Sequence, residues 1–405
     1  MNNIMSPPGE FQIPVHIRRN GFDLASELAV LRANQPVTRL TLPTGSQAWL
    51  VTRHEHVREV LSDARRFGSD GRTLTDPNRG GSVAAPPESL VRHGDLTTYD
   101  PPEHGRLRRM ITPGFSAKRI ETLRPRIEAS VAAILDAMQE AGPSVDLVQA
   151  FALPVPAMVI CELLGVPYED RAEFNKHSVI RFDGTRSRAA REAAARTSLA
   201  YMARLVAQQR ANPGEGILGL LVREHGGEID DRELAGVGDL LLLGGHETTV
   251  NMLSLGTLLL LQNPDHAATV RDGKNIDGVV EELLRYLSVV QTGVPRVART
   301  DVTLAGQHIR RGERLLCSLP SANHDEALAP DGDRFDLGRK AGAHLAFGHG
   351  IHYCIGAPLA RMEMRIAYPA LLRRFPGLRL DMRFSEIPFR VSSAIYGINH
   401  LPVAW

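Results

Sequence analysis

Phe347-Gly348-His349-Gly350-Ile351-His352-Tyr353-Cys354-Ile355-Gly356 sets one thiol among glycines and histidines, and a helical pattern runs on from Ala357 to Arg373. Glycines let a bent backbone come close to another group. A helix that begins just past a sulfur favours its thiolate through the positive end of the dipole. Such a loop prepares a soft metal ligand. Two other readings compete here. One is a small buried hydrophobe, the usual fate of a lone cysteine. The other is a zinc site made of His349, His352 and Cys354, which the irregular spacing and the lack of a second Cys or His pair nearby weaken.

Phe-Gly-x-Gly-x-His-x-Cys-x-Gly over residues 347–356 resembles the haem-binding loop of the cytochromes P450. The resemblance implies a b-type haem with Cys354 as its axial thiolate, and Phe347, Gly348 and Gly356 close around the cofactor. It also implies a mainly α fold with small β-sheets, a triangular helical prism crossed by a long central helix, as a single domain over residues 1–405.

Composition agrees with a globular chain. Charged residues make up 23 % and hydrophobic ones 43 % of the 405, which excludes a disordered or fibrous protein. The formal net charge of +1 argues against nucleic acid as a bulk electrostatic partner. Cys161, Cys317 and Cys354 form no close pair, so a reducing cytoplasm fits better than a disulfide framework. Residues 1–9 have neither the basic nor the apolar region of a signal peptide or anchor. Residues 240–261 are apolar enough to consider as a membrane span. His246, Glu247, Thr248, Thr249 and Asn251 would be costly in lipid, so a buried helix of a soluble, monomeric protein is expected instead.

Along the chain, residues 36–54 read as a short hairpin and residues 71–98 as a long Gly- and Pro-rich loop. Asp100-Pro101-Pro102-Glu103 predicts a helix start, with Asp100 as N-cap, Pro101 first in the helix and Glu103 completing a capping box. On that helix His104 and Arg108 share one face and Arg106 and Arg109 another. A solvated Arg-rich turn is the commoner outcome, but the P450 resemblance makes His104 and Arg108 the pair that holds the haem propionates, a task suited to bidentate guanidinium. Residues 146–165 read as a buried helix kinked at Pro154 and Pro156, with Cys161 a core thiol. Two helices, roughly residues 169–179 and 186–211, flank Asp183-Gly184-Thr185 as a hinged pair able to act as a lid.

The longest helical run opens at Asp230 and ends near Pro264, with Gly244-Gly245-His246-Glu247-Thr248-Thr249 at its centre. Two glycines inside a helix cost about 1 kcal/mol each, and a Glu with two Thr in an apolar helix adds a desolvation cost. Local rules broken together mark a site. The resemblance makes this the distal wall over the haem, with Glu247 and Thr248 delivering protons to bound oxygen. Gly244 stands where the family more often has alanine. Glu282 and Arg285 match the structural Glu-x-x-Arg pair, completed by Arg334 or Arg339. Arg296 and His352 join His104 and Arg108 as propionate donors.

The activity implied is a monooxygenase that hydroxylates a hydrophobic secondary metabolite with O2. No flavin or nicotinamide motif is present, so a ferredoxin and its reductase are the expected electron partners, docking where Arg106, Arg109 and Arg361 lie. Pocket candidates are Leu90, Leu96, Ile180, Leu243, Val290, Val294 and Ile395, mostly apolar like most ligand pockets. Epoxidation, demethylation and oxidative coupling would use the same residues. A haem sensor would need neither Glu247 nor Thr248, and a peroxide-driven enzyme would be expected to lack this pair.

Overall fold

The chain is described by a computed structural model over residues 13–42, 45–70, 93–167, 170–340 and 342–405, side chains of 171–176 excepted. Helices are α1 (Ser26–Asn34), α2 (His54–Ser62), α3 (Glu103–Ile111), α4 (Ala117–Ala141), α5 (Pro154–Leu164), α6 (Arg171–Phe182) and α7 (Arg188–Ala211). They continue as α8 (Ile217–His225), α9 (Asp231–Leu261), α10 (Pro264–Arg271), α11 (Ile276–Leu287), α12 (Leu319–Asn323) and α13 (Ala357–Arg374). The mainly α fold with small sheets is therefore present.

Helix α9 organises the packing. The Asp230 carboxylate caps it by accepting from the Glu233 amide at 2.8 Å. Its 31 residues at about 1.5 Å each span about 46 Å. It packs against α5, α6, α7, α8, α10, α11 and α13. With so many neighbours it has almost no solvent face, which is why its sequence is apolar all round rather than striped. Gly256 lets α13 come close: a Cβ there would run into the buried Tyr368, whose hydroxyl donates to the Met252 carbonyl at 2.5 Å.

Residues Val37–Thr41 and Gln47–Val51 form the expected hairpin. They lie in a five-stranded sheet that continues through Arg314–Cys317 and Val294–Ala298 to Phe67–Gly68. Pro295 and Arg296 thereby gain fixed positions opposite Leu316 and Leu315.

Three local expectations change. Asp100 does not cap α3, which starts at Glu103. Two successive prolines disfavour helical backbone at Pro101, and the Asp100 carboxylate instead accepts from the Ser69 and Asp70 amides at 2.8 and 3.2 Å. The kinked helix over residues 146–165 is a strand end at Asp146, a π-helical turn over Val148–Ala152 and then α5. Most of the long loop, with Leu90, lies outside the described residues, and Leu96–Thr98 form a 3-10 turn.

Candidate active site

The cysteine loop is built on glycine. Gly348 and Gly350 both sit at φ 71°, in the left-handed region that side chains avoid. A Cβ at Gly350 would strike the Leu61 carbonyl, whereas at Gly348 nothing lies within 4 Å of one. The Cys354 amide donates to the Phe347 carbonyl at 3.0 Å, and α13 starts three residues on. Cys354 is solvent-exposed although protein surrounds it closely. Burial raises its pKa, while the Gly356 amide, the Arg108 guanidinium and the Ala357 amide pull the other way. The three candidate zinc ligands do not come together: among the described residues no cluster of His, Cys, Asp or Glu could hold a metal ion.

Near the cysteine stands a group of basic side chains. The His104 and His352 rings lie 4.3 Å apart, centre to centre. His104 is buried with Nε2 unpartnered, and His352 Nε2 meets Ser69 Oγ at 2.9 Å. Arg108 donates to the Tyr353 carbonyl at 2.8 Å, and Arg296, 4 % exposed, donates to the carbonyl of its own neighbour Pro295 at 2.7 Å. Among the described residues no carboxylate is within ion-pair distance of either arginine. Burial, then Arg296, His104 and Arg108, push His352 down to about 3. Burial and Arg108 lower His104, and burial lowers both arginines. A buried guanidinium such as that of Arg296 is costly unless an anion joins it. The two propionates of a haem are such anions, so the donor set fits the cofactor.

At the centre of α9, Gly244 is exposed within a helix that is otherwise mostly buried, and nothing lies within 4 Å of where its Cβ would be. Gly245, by contrast, has a neighbour: a Cβ would lie 2.9 Å from Ile160 Cδ1, the mobile end of that side chain. Thr248 Oγ1 donates to the Gly244 carbonyl at 2.6 Å. Glu247 is 1 % exposed; its Oε1 accepts from Arg390 and, at 3.2 Å, from Asn251, while Oε2 has no partner.

A family model described as "Cytochrome P450" matches residues 274–382, which include the Glu-x-x-Arg pair and the cysteine loop. Cytochrome P450-SU2 of Streptomyces griseolus is 45 % identical over 403 residues, covering 99 % of this chain and 98 % of its own. The chain belongs to the cytochrome P450 family. The structure of P450 StaH from glycopeptide antibiotic A47934 biosynthesis aligns with a TM-score of 0.85 at 44 % identity, over 97 % of this chain and 100 % of that one. CYP105P1 in complex with filipin I aligns at 0.88 and 40 % identity, over 96 % and 97 %. The protein is thus a P450 monooxygenase whose cofactor is haem b.

Elsewhere in this P450, Arg285 forms a bidentate pair with Glu282 at 2.7 and 2.8 Å and donates to the Asn323, Gly332 and Arg334 carbonyls. The third arginine side chain is that of Arg339, with Nε 3.4 Å from Glu282; Arg334 contributes only its carbonyl. Val290 and Ile395 meet in a β-bridge, and the Ala394 amide reaches the Phe182 carbonyl at 2.9 Å, which brings the end of α6 and thus Ile180 to the same segment. Leu243 and Val294 are half-buried and Leu96 is buried.

Two of the expected docking arginines are engaged. Arg106 pairs with Glu233, and Arg361 pairs with Glu281 at 2.6 and 2.8 Å and stacks on Phe347; Arg109 stays exposed. Reading the sequence misses Arg390, since no motif spans the 143 residues between it and Glu247.

Proposed function

We propose that this P450 inserts one oxygen atom of O2 into a C–H bond of a hydrophobic secondary metabolite such as a macrolide, polyene, terpenoid or steroid. The balance is RH + O2 + 2 electrons + 2 protons giving ROH and water, with electrons from a ferredoxin and its reductase in the cytoplasm. The observation that carries the reading is the exposed thiol of Cys354 in its glycine-built loop beside basic side chains, the buried His104 and Arg296 among them, whose arginines have no carboxylate within ion-pair distance among the described residues.

Haem b, when bound, supplies the site where O2 is reduced and split, and a thiolate ligand favours O–O cleavage. Cys354 is the protein ligand in this reading. Arg108, Arg296, His104 and His352 would hold the propionates, which would give the two arginines a counter-anion. The Gly356 amide hydrogen-bonds the sulfur and tempers its donation. Thr248 Oγ1 and the Glu247 carboxylate hold and pass the protons that O2 reduction consumes. Gly244 leaves open space at the centre of α9, and Val290, Ile395 and Ile180 would give the substrate an apolar surface.

Oxidative coupling is a second reading, supported by the likeness to StaH, a P450 of glycopeptide antibiotic biosynthesis. A screen of secondary metabolites for the haem spin-state shift, followed by product analysis with a surrogate ferredoxin and reductase, separates the two. A product heavier by one oxygen supports hydroxylation; a product lighter by two hydrogens supports coupling. Thr248→Ala is expected to divert most NADPH to hydrogen peroxide, and an unchanged product yield per NADPH contradicts the proton role.

A further inference from the structure

The buried carboxylate of Glu247 is fastened from outside its own helix. Arg390, with its side chain 10 % exposed, puts Nη1 on Glu247 Oε1, and its Nη2 lies 3.3 Å from Ser393 Oγ. The segment that carries Arg390 doubles back, its amide donating to the Gly397 carbonyl at 2.8 Å. Gly397 in turn lies flat on Asn251, where a Cβ would collide with the side-chain amide. Both ends of this segment therefore press on one turn of α9, at Glu247 and Asn251.

The same segment is stitched to α6. Ser393 Oγ donates to the Phe182 carbonyl at 3.2 Å, the Ala394 amide donates to the same carbonyl, and the Gly184 amide donates to the Ser392 carbonyl at 3.1 Å. Helix α6 also has a direct tie to α9: Arg181 forms a bidentate pair with Asp239 at 2.7 and 2.8 Å, both side chains buried, and Ser198 of α7 donates to that carboxylate. Asp239 lies about two turns before Glu247, on the same side of α9. A shift of the α6 end relative to α9 therefore loads the Arg181 pair and, through Phe182 and Ser393, the Arg390 pair together.

We propose that Arg390 is the positioning residue for Glu247, and that the Phe182–Ser393–Arg390 chain makes the orientation of this acid depend on where the end of α6 sits. The proposal rests on the reading of Glu247 as a proton donor. A carboxylate held on one oxygen by a guanidinium keeps a single orientation in a medium where its free oxygen finds no other donor. Ile180 and Ile395, read above as facing the substrate, flank this chain, so a bound molecule that moves either of them would reach the acid without touching it.

The test uses haem-loaded protein with Glu247→Gln, Arg390→Gln, Arg390→Lys, Ser393→Ala and the Glu247→Gln/Arg390→Gln double variant. In urea unfolding each Gln variant leaves a lone buried partner, so the double variant is expected to lose at least about tenfold less in the unfolding constant than the two losses combined. Additive losses overturn the pairing. With a surrogate ferredoxin and reductase and 7-ethoxycoumarin as probe, the share of NADPH recovered as hydrogen peroxide is measured. Arg390→Gln is expected to raise it severalfold, Arg390→Lys to bring it back toward the parent, and Ser393→Ala to raise it by a smaller factor. If Glu247→Gln raises peroxide and Arg390→Gln does not, the positioning role falls while the proton-donor reading stands. If neither does, both fall. If Ser393→Ala matches the parent, the link to α6 is lost.

Discussion

At the scale of single residues, Arg296 is the sharpest sign of an anion site. Arg296 is buried in the sheet with a backbone carbonyl as its only hydrogen-bond acceptor among the described residues. A charge-assisted hydrogen bond contributes about 1.5–3 kcal/mol. Arg296→Met should therefore speed haem transfer to an apo-globin acceptor by roughly tenfold to a hundredfold at 1.4 kcal/mol per decade, and leave the haem-free protein no less stable. Unchanged haem transfer would contradict the propionate role. Glu281 shows the opposite case, a group fully compensated by the chain itself. Burial would raise its pKa, but hydrogen bonds from Arg361 and His344 outweigh it and hold the group down at about 2. The folded value lies below the unfolded one of 4.5. This contribution is thus complete above the unfolded value and lost as pH falls from about 4.5 toward 2. Glu281→Gln is expected to cost on the order of 3 kcal/mol at neutral pH and to flatten that acid limb of urea stability; an unaltered limb would contradict it.

At the scale of elements, α9 explains why some glycines are spacing devices and others are openings. Gly256 and Gly245 have neighbours where a Cβ would go, whereas Gly244 has none. Replacing glycine by alanine inside a helix ordinarily gains about 1 kcal/mol. For Gly256→Ala the clash with Tyr368 reverses the sign, with an expected net loss of about 1–3 kcal/mol in chemical unfolding. A stabilised variant would contradict the packing. Gly244→Ala has no such clash and should leave stability unharmed. The cost to a helix marks the whole Gly-Gly-His-Glu-Thr-Thr run and, taken alone, does not separate the two glycines. Their difference lies in which one faces Ile160 and which faces open space.

At the scale of the whole molecule, what was legible was what short motifs carry. The cysteine loop, the Glu-x-x-Arg pair and the long apolar helix each occupy one continuous stretch, and each lies in the element expected of it. Contacts between distant segments were not legible. The partner of Glu247 comes from residue 390, the choice of Arg339 over Arg334 depends on which side chain turns inward, and Arg361 proves to be paired with Glu281. The Asp100 cap failed because two prolines and a sheet edge compete for the same carboxylate. No helix among the described residues is long and apolar enough to cross a membrane, in keeping with the polar interruptions read in residues 240–261.

Cys354 is the one side chain proposed to bind the haem iron. The most direct test of this ligation is the absorption spectrum of the reduced carbon monoxide complex of Cys354→Ser, reconstituted with haem and compared with the parent. The parent should give the red-shifted Soret band of a thiolate-ligated haem, and the variant should lose it even where haem is retained. A variant that keeps the red-shifted band would contradict the assignment.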